Sequence, residues 1–297
     1  MSEAVARALR DGAPVVALES TIITHGLPQP ENLVAALEFE QAVAQGGAVP
    51  ATIAMLDGVA HIGLASEQLE RLAKSETAVK LSARDLPIAM AQGLTGGTTV
   101  AATALLASHA RIRVFATGGI GGVHRDAGST FDESADLGIL GSCRITVISA
   151  GIKSILDIGA TLERLETLSV PVIVFGTDHF PAFWLTDSGH RVDTPVSSAP
   201  QVAAIMKAAD ELARPGGLLV ANPLPQAEQL DPELHHRLLA EALEAAETTG
   251  VRGKDVTPFL LDYVHQHTGR RSVDVNLEIV RRNCALGAEI ARAWTAL

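Results

Sequence analysis

The sequence predicts a layered α/β protein built on a largely parallel sheet. Three observations carry that prediction. Apolar, β-branched runs at Val15–Leu18, 145–148 and "VPVIVFG" (170–176) read as buried strands. Windows with apolar residues three and four apart separate them, so strand and helix alternate along the chain. Ala and Gly are abundant while aromatic residues make up only 3% of the chain, which suits closely stacked helix and sheet layers.

The elements follow in order. An opening helix precedes the strand at Val15–Leu18 and the turn-rich loop "ESTIITHGLPQPEN". Asn32 is placed to cap the next helix, which Gly46 and Gly47 end. "VPATIAMLDGVAHIG" reads as two strands joined by an Asp57-Gly58 hairpin turn, and helical spacing resumes from Glu67 to Lys74. Gly96 and Gly97 break the pattern before a helix expected to carry Thr98 and Thr99 in its first turn. A short strand leads into "ATGGIGGVHRDAGSTFDESADL", where Ser134 can cap a helix. The strand at 145–148 is followed by a helix read from Ile155, Ile158, Leu162, Leu165 and Leu168, with Lys153 at its start. Residues 185–200 are polar and turn-rich and read as an excursion or a small subdomain edge rather than a linker, and the remainder reads as mostly helical.

Composition bounds the function. Cys143 and Cys284 are far apart and form no CxxC pattern, so neither a disulfide framework nor a zinc site is indicated, and a reducing cytoplasm is expected. The first residues lack a long apolar run, and no later segment approaches the roughly 18 apolar residues of a membrane span. A net charge of −11 argues against nucleic acid as partner, because counterion release rewards a cationic face.

Three post-strand loops carry reactive groups, and such loops gather at the carboxyl edge of a parallel sheet. Glu19 ends the first strand, the 117–136 loop follows a middle one, and Lys153 follows the next. A helix start normally attracts acids, so a lysine there is either solvated or held in a field that favours its neutral, nucleophilic form. "TGGIGG" lacks the GxGxxG spacing of a dinucleotide loop, and "GLTGGTT" lacks the Gly-Lys-Ser/Thr ending of a nucleotide loop. Thr98, Thr99 and backbone N–H groups at a helix start suit a phosphate instead. Lysine is scarce, five against eighteen arginines, yet Lys80 also sits beside a strand-like pair and either faces a site or lies on a solvated edge. Asp132 belongs to an acidic cluster that is either a solvated loop or a hold for a hard divalent cation with water as its other ligands. His124 and Arg125 end the glycine loop and become ligand contacts if it lines a pocket. His61, His235, His236 and "HQHTG" (265–269) sit in ordinary contexts and receive no role.

"ALESTIITHGLPQPEN", "VPATIAMLDG", "KLSARDLP", "GGTTVAAT", "FATGGIGGVHR", "TFDESADL", "AGIKSILDIGATLERLETL", "VPVIVFGTDHFPAFW", "GGLLVANPLP" and "GKDVTPFLL" resemble, in that order, the pseudouridine-5′-phosphate glycosidase (indigoidine synthase A-like) family over nearly the whole chain. The resemblance implies one domain over 1–297, a three-layer α/β/α fold with a largely parallel or mixed central sheet, a homotrimer, and dependence on Mn²⁺ or another divalent cation. It implies a C-glycosidase or lyase that reversibly splits pseudouridine 5′-phosphate into uracil and ribose 5-phosphate. By the same resemblance Lys153 is the nucleophile, Glu19 the proton donor and Asp132 the metal carboxylate. Substrate contacts fall on Lys80, Val100, Ser134, Ala135 and Asp136, with His124 and Asn276 on the base side and Thr99 in the phosphate loop.

The chemistry accounts for a lysine. An ordinary glycoside leaves through a heteroatom that an acid can protonate, so carboxylates suffice. A C-glycoside offers no such lone pair, and an amine that adds at C1′ supplies the missing electron sink as an imine. An enzyme with the same sugar chemistry and another aromatic acceptor is the alternative. A non-catalytic sugar-phosphate sensor would have no use for Lys153 and Glu19 together.

Overall fold

The computed structural model describes residues 1–251 and 256–297; residues 253–255 of the "GKDVTPFLL" stretch lie outside them. Among the described residues one ten-stranded sheet forms the middle layer. Its strands in chain order are β1 (Val15–Leu18), β2 (Val49–Leu56), β3 (Val59–Ile62), β4 (Val79–Leu81), β5 (Gly96–Thr98), β6 (Val114–Ala116), β7 (Thr146–Ser149), β8 (Val172–Phe175), β9 (Pro195–Val196) and β10 (Leu218–Ala221). The helices are α1 (Glu3–Arg10), α2 (Glu31–Gln45), α3 (Ser66–Ala73), α4 (Leu86–Gln92), α5 (Val100–His109), α6 (Ala127–Thr130), α7 (Ala135–Leu140), α8 (Ile158–Thr167), α9 (Ala199–Glu211), α10 (Pro232–Thr249), α11 (Val256–His267) and α12 (Arg271–Thr295).

The spatial order is β4-β5-β2-β1-β6-β7-β10-β8-β9, with β3 returning against β2. From β2 across to β9 every neighbouring pair is parallel. β5 runs antiparallel to β2 and carries β4 parallel to itself, so the sheet is mixed at that edge. Successive β1 side chains enter opposite layers, as a pleated strand requires. Val15 and Ala17 join a core with α1, α5, α7 and α10, while Val16 and Leu18 join one with α2, α9 and α12. The α/β/α arrangement expected from the sequence is therefore present. The Asp57-Gly58 turn also forms, both residues at positive φ as a tight hairpin needs.

Four local expectations need correction. Asn32 lies inside α2, buried, with its amide donating to the carbonyls of Ile23 and Ala73, so it ties a loop and α3 to α2 rather than capping. Thr98 ends β5 and turns its hydroxyl into the core toward the Ile53 carbonyl, leaving Thr99 alone as the N-cap of α5. The helix after β7 starts at Ile158, where the Asp157 carboxylate accepts from Ala160 N, and Lys153 sits in the loop before it. Apart from one tight turn, Leu156 N to Lys153 O at 2.9 Å, backbone groups of this stretch are drawn to the glycine loop rather than into a helix: Lys153 N donates to Ile120 O at 3.1 Å and Asp157 N to Val123 O at 3.0 Å. Finally, the C-terminal part holds a buried central strand, β10, which the mostly helical reading missed.

Candidate active site

Because β1, β6, β7 and β10 are parallel, their carboxyl ends deliver Glu19, Thr117, the 150–157 loop and Asn222 to one edge of the sheet. A pocket of about 280 Å³ opens there. Of the eleven site residues expected, Glu19, Lys80, Thr99, Val100, His124, Asp132, Ser134, Ala135, Asp136 and Lys153 line it. Asn276 does not line it; its side chain stands behind the glycine loop, close to Gly118. Arg125 also stays out of the pocket, donating instead to the carbonyls of Ser154 and Ile155.

Glu19 and Lys153 are electrostatically coupled. Burial pushes the Glu19 carboxyl above its ordinary range; the Lys153 cation and the Thr117 hydroxyl, which donates to Glu19, pull it back, and the Asp136 charge pushes it further up. The result is a carboxyl that holds a proton at higher pH than an exposed glutamate and can release it into the pocket. Thr117 is itself fixed from behind. The buried Asn283 on α12 donates to Thr117 O at 2.7 Å and accepts from Asn222 Nδ2 at 2.9 Å, so three elements set the position of the Glu19 partner. None of these partners has a sequence signature, because the contacts span more than sixty residues.

The other end of the pocket suits an anion. α5 points its N-terminus at it, where Thr99 caps and Val100 is the first helical residue. Lys80, Ser82, Arg84 and Thr21 add a cationic and hydroxyl wall. The glycine loop serves close packing here: a Cβ on Gly121 would collide with the Ser134 side chain. That closeness lets Asp136 accept from Gly121 N and Ala101 N, at 2.8 Å each, tying the glycine loop to the start of α5. Ser134 caps α7, as its sequence position suggested.

Asp132 lines the pocket with its carboxylate 3.9 Å from His124 Nδ1, and no hydrogen bond among the described residues reaches its oxygens. Neighbouring Glu133 is held by Arg164 at 2.8 Å. Among the described residues no group of three or more His, Cys, Asp or Glu is arranged to hold a metal. Such a donor set does not form a protein cage, but it fits a hard cation bound through one carboxylate and otherwise by water and ligand oxygens.

One residue given no role in the sequence stands directly behind the lysine. His235 on α10 is buried, with Nε2 at 2.8 Å from Ser154 Oγ. Burial, helped by His236 and Arg125, pushes its imidazole down to about 4, so it is neutral at physiological pH. Both cysteines are free and buried, and among the described residues no helix is long and apolar enough to cross a membrane.

Residues 4–293 match the family model of indigoidine synthase A like proteins. The chain is 57% identical to a pseudouridine-5′-phosphate glycosidase of Saccharopolyspora erythraea over 99% of its own length and 97% of that protein. It is 55% identical to one of Frankia alni, covering 100% of this chain and 82% of the other. Among solved structures it is similar to the prealnumycin C-glycosynthase AlnA in complex with ribulose 5-phosphate, with a TM-score of 0.92, 36% identity, and coverage of 99% and 96%. An indigoidine synthase A-like protein from Thermotoga maritima superposes with a TM-score of 0.88 at 37% identity, covering 96% and 94%.

Proposed function

The chain belongs to the indigoidine synthase A-like protein family, and from that premise we propose that it reversibly cleaves the C-glycosidic bond of pseudouridine 5′-phosphate, giving uracil and ribose 5-phosphate. The observation that carries this reading is one small pocket with Lys153 and a Glu19 carboxyl pushed up by burial together, and with a helix N-terminus and Lys80 on its wall.

Once Lys153 has given up its proton, its amine adds at C1′ while the C1′–O4′ bond breaks, and O4′ takes a proton from Glu19. The amine then loses a proton, which returns Glu19 to its acid form. Glu19, again an acid, protonates uracil C5, the C1′–C5 electron pair returns to the base, and the nitrogen lone pair forms the C1′=N iminium, leaving Glu19 ionised to take a proton from the incoming water. Water adds to the iminium and releases ribose 5-phosphate and the lysine. Lys80, the Thr99 cap and the Val100 amide hold the 5′-phosphate, so that remote binding energy aligns C1′ with the amine. Asp132 would hold a divalent cation such as Mn²⁺, which when bound orders phosphate and water oxygens. A homotrimer working in the cytoplasm belongs to the same reading, and the two buried free cysteines suit such a reducing compartment.

A second reading has specific support: a structural neighbour at TM-score 0.92 is a C-glycosynthase bound to a pentulose phosphate. In that case the sugar chemistry stands and the acceptor is another aromatic ring. The test is release of uracil from pseudouridine 5′-phosphate, followed by its ultraviolet spectrum with Mn²⁺ present. Release by the wild type, lost by a factor of about 10⁴ or more in Lys153→Ala, supports cleavage of the uracil glycoside. No release, with ribose 5-phosphate still bound covalently, moves the assignment to another acceptor.

A further inference from the structure

We propose that His235 is a positioning residue for Lys153, acting through Ser154 to fix the loop that presents the amine. The proposal deepens the lysine-imine reading above and rests on it.

The 150–157 loop is fastened at both ends by the glycine loop, through Lys153 N to Ile120 O and Asp157 N to Val123 O. Between those points a single tight turn, Leu156 N to Lys153 O at 2.9 Å, is the only internal backbone bond among the described residues, and side chains do the rest of the holding. Arg125 takes the Ser154 and Ile155 carbonyls at 3.3 and 3.2 Å from the exposed side. From the interior, His235 Nε2 meets Ser154 Oγ at 2.8 Å, both residues being 3% exposed. The residue after the lysine is thus gripped from inside and outside, while the lysine side chain lines the pocket.

His235 is anchored to do this. It lies on the 18-residue α10 and meets Trp184 edge-on, ring centroids 6.0 Å apart. Trp184 packs at 5.1 Å on Phe183, whose ring lies against Gly119 of the same glycine loop. The arrangement is not the cheapest way to fill the core. His235 Nδ1 is buried and has no partner among the described residues, an unfavourable feature that a leucine would avoid. Such a residue is kept where its polar contact serves the site. Burial keeps the imidazole neutral, so it adds no cation behind the lysine.

Side-chain geometry makes the idea testable. Glutamine places its amide nitrogen near the position of imidazole Nε2, whereas asparagine places it near Nδ1. His235→Gln should therefore keep kcat within about threefold, while His235→Asn, His235→Leu and Ser154→Ala should each lower it on the order of 10- to 100-fold with KM little changed. Combining His235→Leu with Ser154→Ala should lose no more than either alone, because one interaction is removed twice. Amide exchange across 150–157 should quicken in the same variants and not in His235→Gln. A wild-type kcat in Ser154→Ala, or equal losses in the Gln and Leu variants, overturns the proposal; Ser154→Ala removes one oxygen and decides the matter if a His235 variant fails to fold. If the wild type itself releases no uracil, the functional reading has failed, and amide exchange alone then judges whether His235 holds the loop.

Discussion

Glu19 and Lys153 are useful to each other because their surroundings treat them differently. Glu19 holds its proton to higher pH than an exposed glutamate because burial outweighs the lysine and threonine that would ionise it. Its folded-state carboxyl titrates above the unfolded value of 4.5, so the folded protein binds a proton that the unfolded chain releases. Stability is therefore lost as pH rises from the unfolded value through the raised folded one, and at neutral pH this acid weakens the fold. Glu19→Gln should lower turnover about 10²- to 10⁴-fold, the usual range for a lost general acid. The same variant should melt at a higher temperature than wild type at pH 7, and this gain should shrink as pH falls toward 4. Thermal melts at several pH values alongside turnover check both halves.

At the scale of elements, the chain's local signals were good guides wherever one segment sufficed. Ser134 capping α7, Gly46 ending α2 and the Asp57-Gly58 hairpin are decided by neighbours in sequence. Helical spacing places the start of α8 too early because Ile155 continues the pattern while the backbone of Lys153 and Asp157 on either side is bound to the glycine loop; Asp157, the actual cap, is the signal in the sequence. β10 is a short apolar run, "LLVA", without alternation, and its strand signal lies only in the Pro215-Gly216-Gly217 and Asn222-Pro223 turns that bound it; its pairing with β7 and β8 delivers Asn222. The Asn222–Asn283–Thr117 chain joins β10, α12 and the end of β6, so no single window could show it. Asn283→Leu leaves the Thr117 carbonyl and the Asn222 amide without their partner, at on the order of 1–3 kcal/mol for each group. Urea denaturation should register that loss, and turnover should fall with it because Thr117 no longer holds Glu19 in place.

The whole molecule explains why the pocket exists. Seven parallel strands, β2 and β1 through β9, bring the reactive loops to one edge, and the antiparallel β5 reverses direction there to aim α5 at the same space. The sequence already grouped Glu19, the glycine loop and Lys153 by that logic, and ten of the eleven expected residues line one pocket. What it did not reveal lies a layer behind: Thr117, Asn283, Ser154 and His235, all set by contacts between distant segments. The covalent bond between Lys153 and the sugar is measured directly by intact-protein mass after incubation with ribose 5-phosphate and borohydride. A single reduced pentose-phosphate adduct, mapped to Lys153 and absent from Lys153→Ala, is the expected result. An unmodified protein, or an adduct mapped to Lys80 instead, would contradict it.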